Sequence, residues 1–162
     1  MAHQLHIQVG KFKFSCAHMT EFPDGTKERL HGHNFALGVQ LGLSSLSSGR
    51  MVSFAPVKKA MEAFCQSLRE TVLIAAQSPH LEIISQSPEC EIKLCGKRYV
   101  FPAEDVRLLP IENVTCEHLA DYAARELLRS LEPTLRAGGA CSIDVRIDEA
   151  PGQGGSAQLT LG

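Results

Sequence analysis

Residues 30–35 read LHGHNF, which sets two imidazoles, His31 and His33, on either side of one glycine. A third histidine, His18, closes the segment FSCAH at 14–18. Neutral imidazole is the usual nitrogen ligand of zinc, and three histidines that leave one position open make a catalytic rather than a structural site. The intervening glycine lets the backbone approach closely. Inward histidines also serve as core residues satisfied by hydrogen bonds, and spacing alone leaves both readings open. With seven histidines in 162 residues, one H-x-H pair is a weak motif by itself. His3, His6, His80 and His118 show no comparable arrangement and are read as structural or exposed. A second oddity lies in CSIDVRIDE at 141–149. Cys141, Ile143, Val145 and Ile147 take one parity, and the next residue on that parity is Glu149. A carboxylate on an apolar row is costly unless it is paired or hydrogen-bonded. A flat ligand with adjacent N–H donors would satisfy it. A strand that ends at Ile147, leaving Glu149 in a solvated loop, is equally open.

These groups need strands to position them. Side chains two apart on a strand share a face. His18 continues the parity of Phe12, Phe14 and Cys16, whereas His31 and His33 share that of Phe35, Leu37 and Val39, so each site extends an inward row. Leu5, Ile7 and Val9 lie on the other parity from Phe12, with Gly10 at the switch, which predicts a bulge in one long strand over 5–18. Residues 19–30 are turn-rich, and LSSLSSGR at 43–50 is a turn. Ser53 is a good N-cap for a helix with the stripe Val57, Met61, Phe64, Leu68 and Val72, and Pro56 is tolerable in its first turn. Short strands are expected over 80–101, with a turn at CGKR. Thr115 or Asn113 starts a second helix, expected to end before Pro133. Residues 141–149 alternate, and 157–161 are short and apolar. Strands at both ends with helices between them imply an α+β fold, with helices on one face of an antiparallel sheet.

The length of 162 residues fits one domain over 1–162. With 21% charged residues and a net charge of -2, the chain has no basic excess to suggest nucleic acid. No apolar run approaches the roughly 18 residues of a membrane span. The N-terminal stretch alternates instead of forming a signal-peptide core, which points to a cytoplasmic protein. Six cysteines, at 16, 65, 90, 95, 116 and 141, match no zinc-ribbon spacing and are read as reduced, mostly buried thiols. Cys90 and Cys95 are the one pair close in sequence.

FSCAH at 14–18, LHGHNF at 30–35, FPAEDVRLLPIENVTCEHLA at 101–120 and VRIDEAPGQG at 145–154 together resemble the 6-pyruvoyltetrahydropterin synthase family, which also contains 6-carboxytetrahydropterin synthases. The resemblance implies the tunnelling fold, a four-stranded antiparallel sheet with two helices. It implies trimeric barrels that pair into homohexamers, with active sites between subunits. It implies Zn2+ on His18, His31 and His33, and Glu149 accepting two N–H groups of a dihydropterin ring, a strong and orienting arrangement. Thr115 would contact the ring and Glu117 would support the helix start. The zinc would act as a Lewis acid on hydroxyls of the C6 side chain.

The pattern also breaks. Typical pyruvoyl- and carboxy-forming members carry a catalytic cysteine four residues before the first His of HGH, where this chain has Lys27. Their Asp-His pair late in the first helix matches Arg69-Glu70 here. Neither Cys16 nor Cys65 can be moved in without shifting the motif. Glu28, in E-x-x-H-G-H, resembles a third branch in which glutamate stands in for the cysteine. Those members cleave dihydroneopterin to 6-hydroxymethyldihydropterin for folate synthesis. The implied activity is a zinc-dependent lyase acting on the C6 side chain of 7,8-dihydroneopterin or its triphosphate. Glu28 would be its general base and Glu70 a second acid or base. Glu28 also reads as an exposed loop charge beside Lys27 and Arg29. Two other readings stay open: a non-catalytic pterin-binding paralogue, and a structural zinc site beside a pocket for another heterocycle.

Overall fold

The computed structural model describes residues 3–8, 10–46 and 49–161. In chain order the elements are β1 (His3–Ile7), β2 (Lys13–His18), β3 (His31–Leu43), α1 (Phe54–Leu68), β4 (Thr71–Ala75), β5 (Leu81–Ser85), β6 (Glu89–Leu94), β7 (Lys97–Pro102), β8 (Val106–Leu109), α2 (Cys116–Ala137), β9 (Ala140–Ala150) and β10 (Gln153–Thr160). The main sheet runs β10-β9-β3-β2-β4-β8, and β1 pairs with the far end of β3. The expected antiparallel block is there as β10, β9, β3 and β2, and both helices pack against its apolar face. The sheet then continues through two parallel additions, β4 on β2 and β8 on β4. A separate three-stranded antiparallel sheet, β5-β6-β7, has its own small core around Ile92, Cys90 and Met19.

Alternation drives the main layer. Phe14, Cys16, Phe35, Leu37, Val39, Leu41, Ile143, Val145 and Ile147 are buried together under the helices. Each buried side chain of this size contributes roughly 1.5–3 kcal/mol. In α1, Val57, Met61, Phe64, Cys65 and Leu68 face that core, as the stripe predicts. The helix stops there, because Arg69 turns to extended backbone at φ -64 and ψ 134; Glu70 follows at φ 57, and Val72 belongs to β4 instead of continuing the stripe. The expected long strand over 5–18 is two strands separated by a turn at Gly10 and Lys11. Val9 lies outside the described residues, as do Ser47 and Ser48 in the expected turn after β3. The CGKR turn joins β6 to β7 as expected.

Two further expectations are corrected. Helix α2 does not end before Pro133 but runs through it to Ala137. A mid-helix proline costs about 3 kcal/mol through the lost bond and ring clash. Burying Leu135, at 0% exposure in the turn gained by continuing, offsets much of that cost. Cys141 was expected on the inward row but is exposed, because a register shift near Leu43 puts Ala140 inside instead. All six cysteines are free thiols; Cys16, Cys65 and Cys90 are buried, whereas Cys95 and Cys116 are half-buried. Among the described residues no helix is long and apolar enough to cross a membrane.

Candidate active site

The antiparallel register of β2 on β3 sets His18 opposite His31 and Cys16 opposite His33. All three imidazoles therefore emerge on the core side, just beyond the tilted ring pair Phe14 and Phe35, whose centroids are 5.4 Å apart. One ring nitrogen from each of His18, His31 and His33 falls within a cluster no wider than 4.8 Å. His18 Nε2 and His33 Nδ1 are 3.0 Å apart. Two lone pairs at that separation need a shared proton or a cation between them. Tetrahedral ligands about 2.0–2.1 Å from zinc are separated by roughly 3.3 Å, so the spacing suits a metal.

The surroundings favour neutral, ligating rings. His31 Nδ1 lies 2.8 Å from the Arg29 carbonyl, which fixes its proton there and leaves Nε2 as a lone pair. His18 is 3% exposed. Burial first, then the neighbouring His31 and His33, lowers its pKa from 6.5 to about 4, so it is neutral near pH 7. The Val114 backbone acts in the opposite sense, yet His18 Nδ1 is buried without a hydrogen bond of good geometry. The nitrogen that His18 turns to the cluster is Nε2, not the orphaned Nδ1, so the fit to a metal rests on the 3.0 Å approach of Nε2 to His33 Nδ1 and on the free Nε2 of His31. The residues present thus fit the implied zinc.

The cluster opens into a cleft of about 290 Å³. Its walls are His18 and Thr20, Glu28, His33 and Phe35, the α2 entry at Val114–Glu117, and Glu149 with Gly154. Glu28 Oε2 is 3.8 Å from His31 Nε2, and Glu149 Oε2 is 4.0 Å from His33 Nδ1. Strand β9 does not end at Ile147; it carries Glu149 onto the cleft wall, half-buried. Thr115 is the N-cap of α2 and accepts from the His118 amide at 3.4 Å. Its hydroxyl lies 3.0 Å from His118 Nδ1, and its proximity to the Glu117 carboxylate lowers that group's pKa from its ordinary value. Seven of the expected site residues, His18, His31, His33, Glu28, Thr115, Glu117 and Glu149, are thus brought together. Glu70 is not: it is exposed in the turn after α1, with its amide donating to Ser15, and it does not line this cleft.

Three features were not anticipated. Asn113, considered as a helix start, instead clamps the loop over 19–30. Its Oδ1 accepts from the Glu21 amide at 3.0 Å, and its Nδ2 donates to the Glu21 carbonyl at 2.9 Å. Cys116 lines the cleft between the two anticipated residues Thr115 and Glu117, and that adjacency was the signal available. Burial, then the nearby Glu149, pushes its thiol up to about 11, so it is no substitute nucleophile. Gly155 is the third. A Cβ there would lie 2.7 Å from the Glu117 amide nitrogen and 2.9 Å from the Cys116 carbonyl carbon, so β10 seats on the α2 entry only as glycine.

Two larger apolar grooves lie elsewhere, about 450 Å³ between α1 and α2 and about 770 Å³ beside Met51 and Phe54. Neither is lined by a histidine or cysteine.

Known proteins resemble the chain along most of its length. The profile of the family described as 6-pyruvoyl tetrahydropterin synthase matches residues 7–158. A protein of Methanocaldococcus jannaschii, provisionally described as a 6-carboxy-5,6,7,8-tetrahydropterin synthase, is 32% identical over 143 residues, covering 88% of this chain and 86% of that one. The crystal structure of a 6-pyruvoyl tetrahydropterin synthase from Plasmodium vivax superposes with a TM-score of 0.90 at 24% identity, covering 99% of each chain. Two further structures of the P. vivax protein, each 23% identical, replace a residue described as catalytic, a glutamate, by alanine or cysteine. At these identities the superpositions bear on the fold, which is shared from end to end.

Proposed function

The chain belongs to the 6-pyruvoyl tetrahydropterin synthase family, and on that premise we propose that it is a zinc-dependent lyase cleaving the C6 side chain of 7,8-dihydroneopterin or its triphosphate. The observation that carries this reading is Glu28 beside the three-histidine cluster, on the same cleft as Glu149. His18, His31 and His33 would hold the zinc, which supplies Lewis-acid polarisation of side-chain hydroxyls. Glu149 accepts the amide and amino N–H groups of the pterin, and two parallel bonds to one carboxylate fix a planar ring. Thr115 meets the ring edge, and Glu117 serves the helix start.

Glu28 is the general base. It takes the proton of a side-chain hydroxyl, and the adjacent C–C bond breaks to release an aldehyde. The electron pair passes into the C6=N5 unit, and reprotonation of the side-chain carbon leaves 6-hydroxymethyldihydropterin. No cysteine is called upon, in keeping with burial pushing Cys16 up to about 12 and Cys116 up to about 11. The catalytic glutamate of the P. vivax protein is a precedent for a carboxylate in such a role. Glu70 serves as the second acid or base in the site of a neighbouring copy, because its own cleft does not contain it. This requires a homo-oligomer, the hexamer of paired trimers, and the outer edge of β10 offers backbone for strand pairing between copies.

The test is zinc-loaded protein incubated with each substrate, followed by chromatography of the pterins. The expected product is 6-hydroxymethyldihydropterin, lost in Glu28→Gln. The M. jannaschii relative favours a 6-carboxy product instead. Finding that product, or a 6-pyruvoyl one, would reject the cleavage. Pterin binding without turnover would favour a non-catalytic paralogue.

A further inference from the structure

A base must be held still to be useful, and here that task falls to its neighbour. The loop over 19–30 folds back on itself. The Phe22 amide donates to Thr26 at 2.8 Å, the Glu28 amide to Thr20 at 2.9 Å, and Glu21 and Lys27 form an antiparallel bridge. Consecutive residues in extended backbone point to opposite sides. Glu28 accordingly faces the cleft, and Lys27 faces the three-stranded sheet. Lys27 Nζ donates to the Glu28 carbonyl at 3.0 Å, lies 3.2 Å from Met19 Sδ, and sits 4.8 Å from the centroid of the Tyr99 ring on β7. Met19 is 3% exposed and belongs to the core of the small sheet. An ammonium over an aromatic face is attracted by the ring quadrupole, and its N–H groups remain free to donate elsewhere.

We propose that Lys27 is a positioning residue. By bonding the Glu28 carbonyl while resting on Tyr99, it anchors the Glu28 backbone to the β5-β6-β7 sheet, which serves as the platform for the base. The inference rests on the assignment of Glu28 above. Lys27 occupies the place of the family's usual cysteine, yet its charge is directed away from the cleft and does no chemistry.

Lys27→Met keeps the aliphatic stem but loses the charge and the donors; Lys27→Arg keeps both; Tyr99→Leu removes the ring. The three variants are compared with Glu28→Gln by kcat, KM, Co2+ stoichiometry with its visible spectrum, and amide exchange at residue 28. Misplacing a catalytic group by a fraction of an ångström to 1 Å costs about ten- to a hundred-fold, so Lys27→Met should lose about that in kcat with KM within about two-fold. Tyr99→Leu should lose less, Lys27→Arg should recover most of the rate, and Co2+ binding should not change. The amide at 28 should exchange faster in Lys27→Met. Wild-type kcat and exchange in Lys27→Met would overturn the inference. If Glu28→Gln retains full kcat, the assignment of the base fails instead, and accelerated exchange in Lys27→Met would still support the anchoring.

Discussion

Replacing His18 by leucine in metal-free protein should remove a defined part of the acid sensitivity of folding. Burial, and next His31 and His33, hold the folded imidazole at about 4 against an ordinary 6.5. Between those values the unfolded chain binds a proton that the folded chain refuses. The unfolded state then holds more protons, so stability rises with pH and falls as pH drops from about 6.5 to about 4. Linkage gives about 2 kcal/mol lost between pH 7 and pH 5, and about 3 kcal/mol over the whole window. With 3% of His18 exposed, solvent screens little of this. The assay is urea unfolding followed by circular dichroism, on chelator-stripped wild type and His18→Leu at both pH values. Groups common to the two proteins cancel, so the variant's pH 7 to pH 5 loss should be smaller by about 2 kcal/mol. Equal losses would show that His18 is not held neutral by its site, and its readiness to ligate zinc at neutral pH would lose its physical basis. Saturating zinc supplies a second reading, because binding to the folded state alone should stabilise the wild type far more than the variant.

Glu149→Ala should weaken dihydropterin binding by at least about ten-fold in calorimetry, since charge-assisted bonds contribute roughly 1.5–3 kcal/mol each, with zinc content unchanged. If Glu70 serves a neighbouring copy, Glu28→Gln and Glu70→Gln homo-oligomers should each be inactive, and subunit exchange between them should restore part of the turnover. No recovery after mixing would place Glu70 outside the reaction. Burial raises the Cys16 and Cys65 thiols to about 12, whereas Cys141 is exposed, so Ellman's reagent at pH 8 should modify Cys141 first. Mass spectrometry identifies the labelled residue, and early labelling of Cys16 would contradict the packing.

The site was legible because alternation carries direction as well as burial. The rows Phe12, Phe14, Cys16 and Phe35, Leu37, Val39 pointed inward, and the histidines extending them had to meet once β2 and β3 paired. Glu149 was legible for the same reason, although only the full length of β9 decides that it is not in a loop. The parallel strands were not legible. TVLIA in β4 is a short apolar run, and Val72 falls four residues after Leu68, so helical and strand periods both accept it. Pro133 misled because local propensity opposes the helix there, and the decision lies with Leu135, buried beyond it. Asn113 and Lys27 act through contacts with residues distant in the chain or in an unpatterned loop, which no periodicity reports.

The seating of Gly155 against the start of α2 has a consequence for how such a protein can change its ligand. One wall of the cleft is already at van der Waals contact with the backbone behind it, leaving a single hydrogen's worth of slack. That wall behaves as a fixed gauge. Any descendant that accommodates a broader heterocycle must gain the space on the opposite side, by rebuilding the loop that bears Glu28.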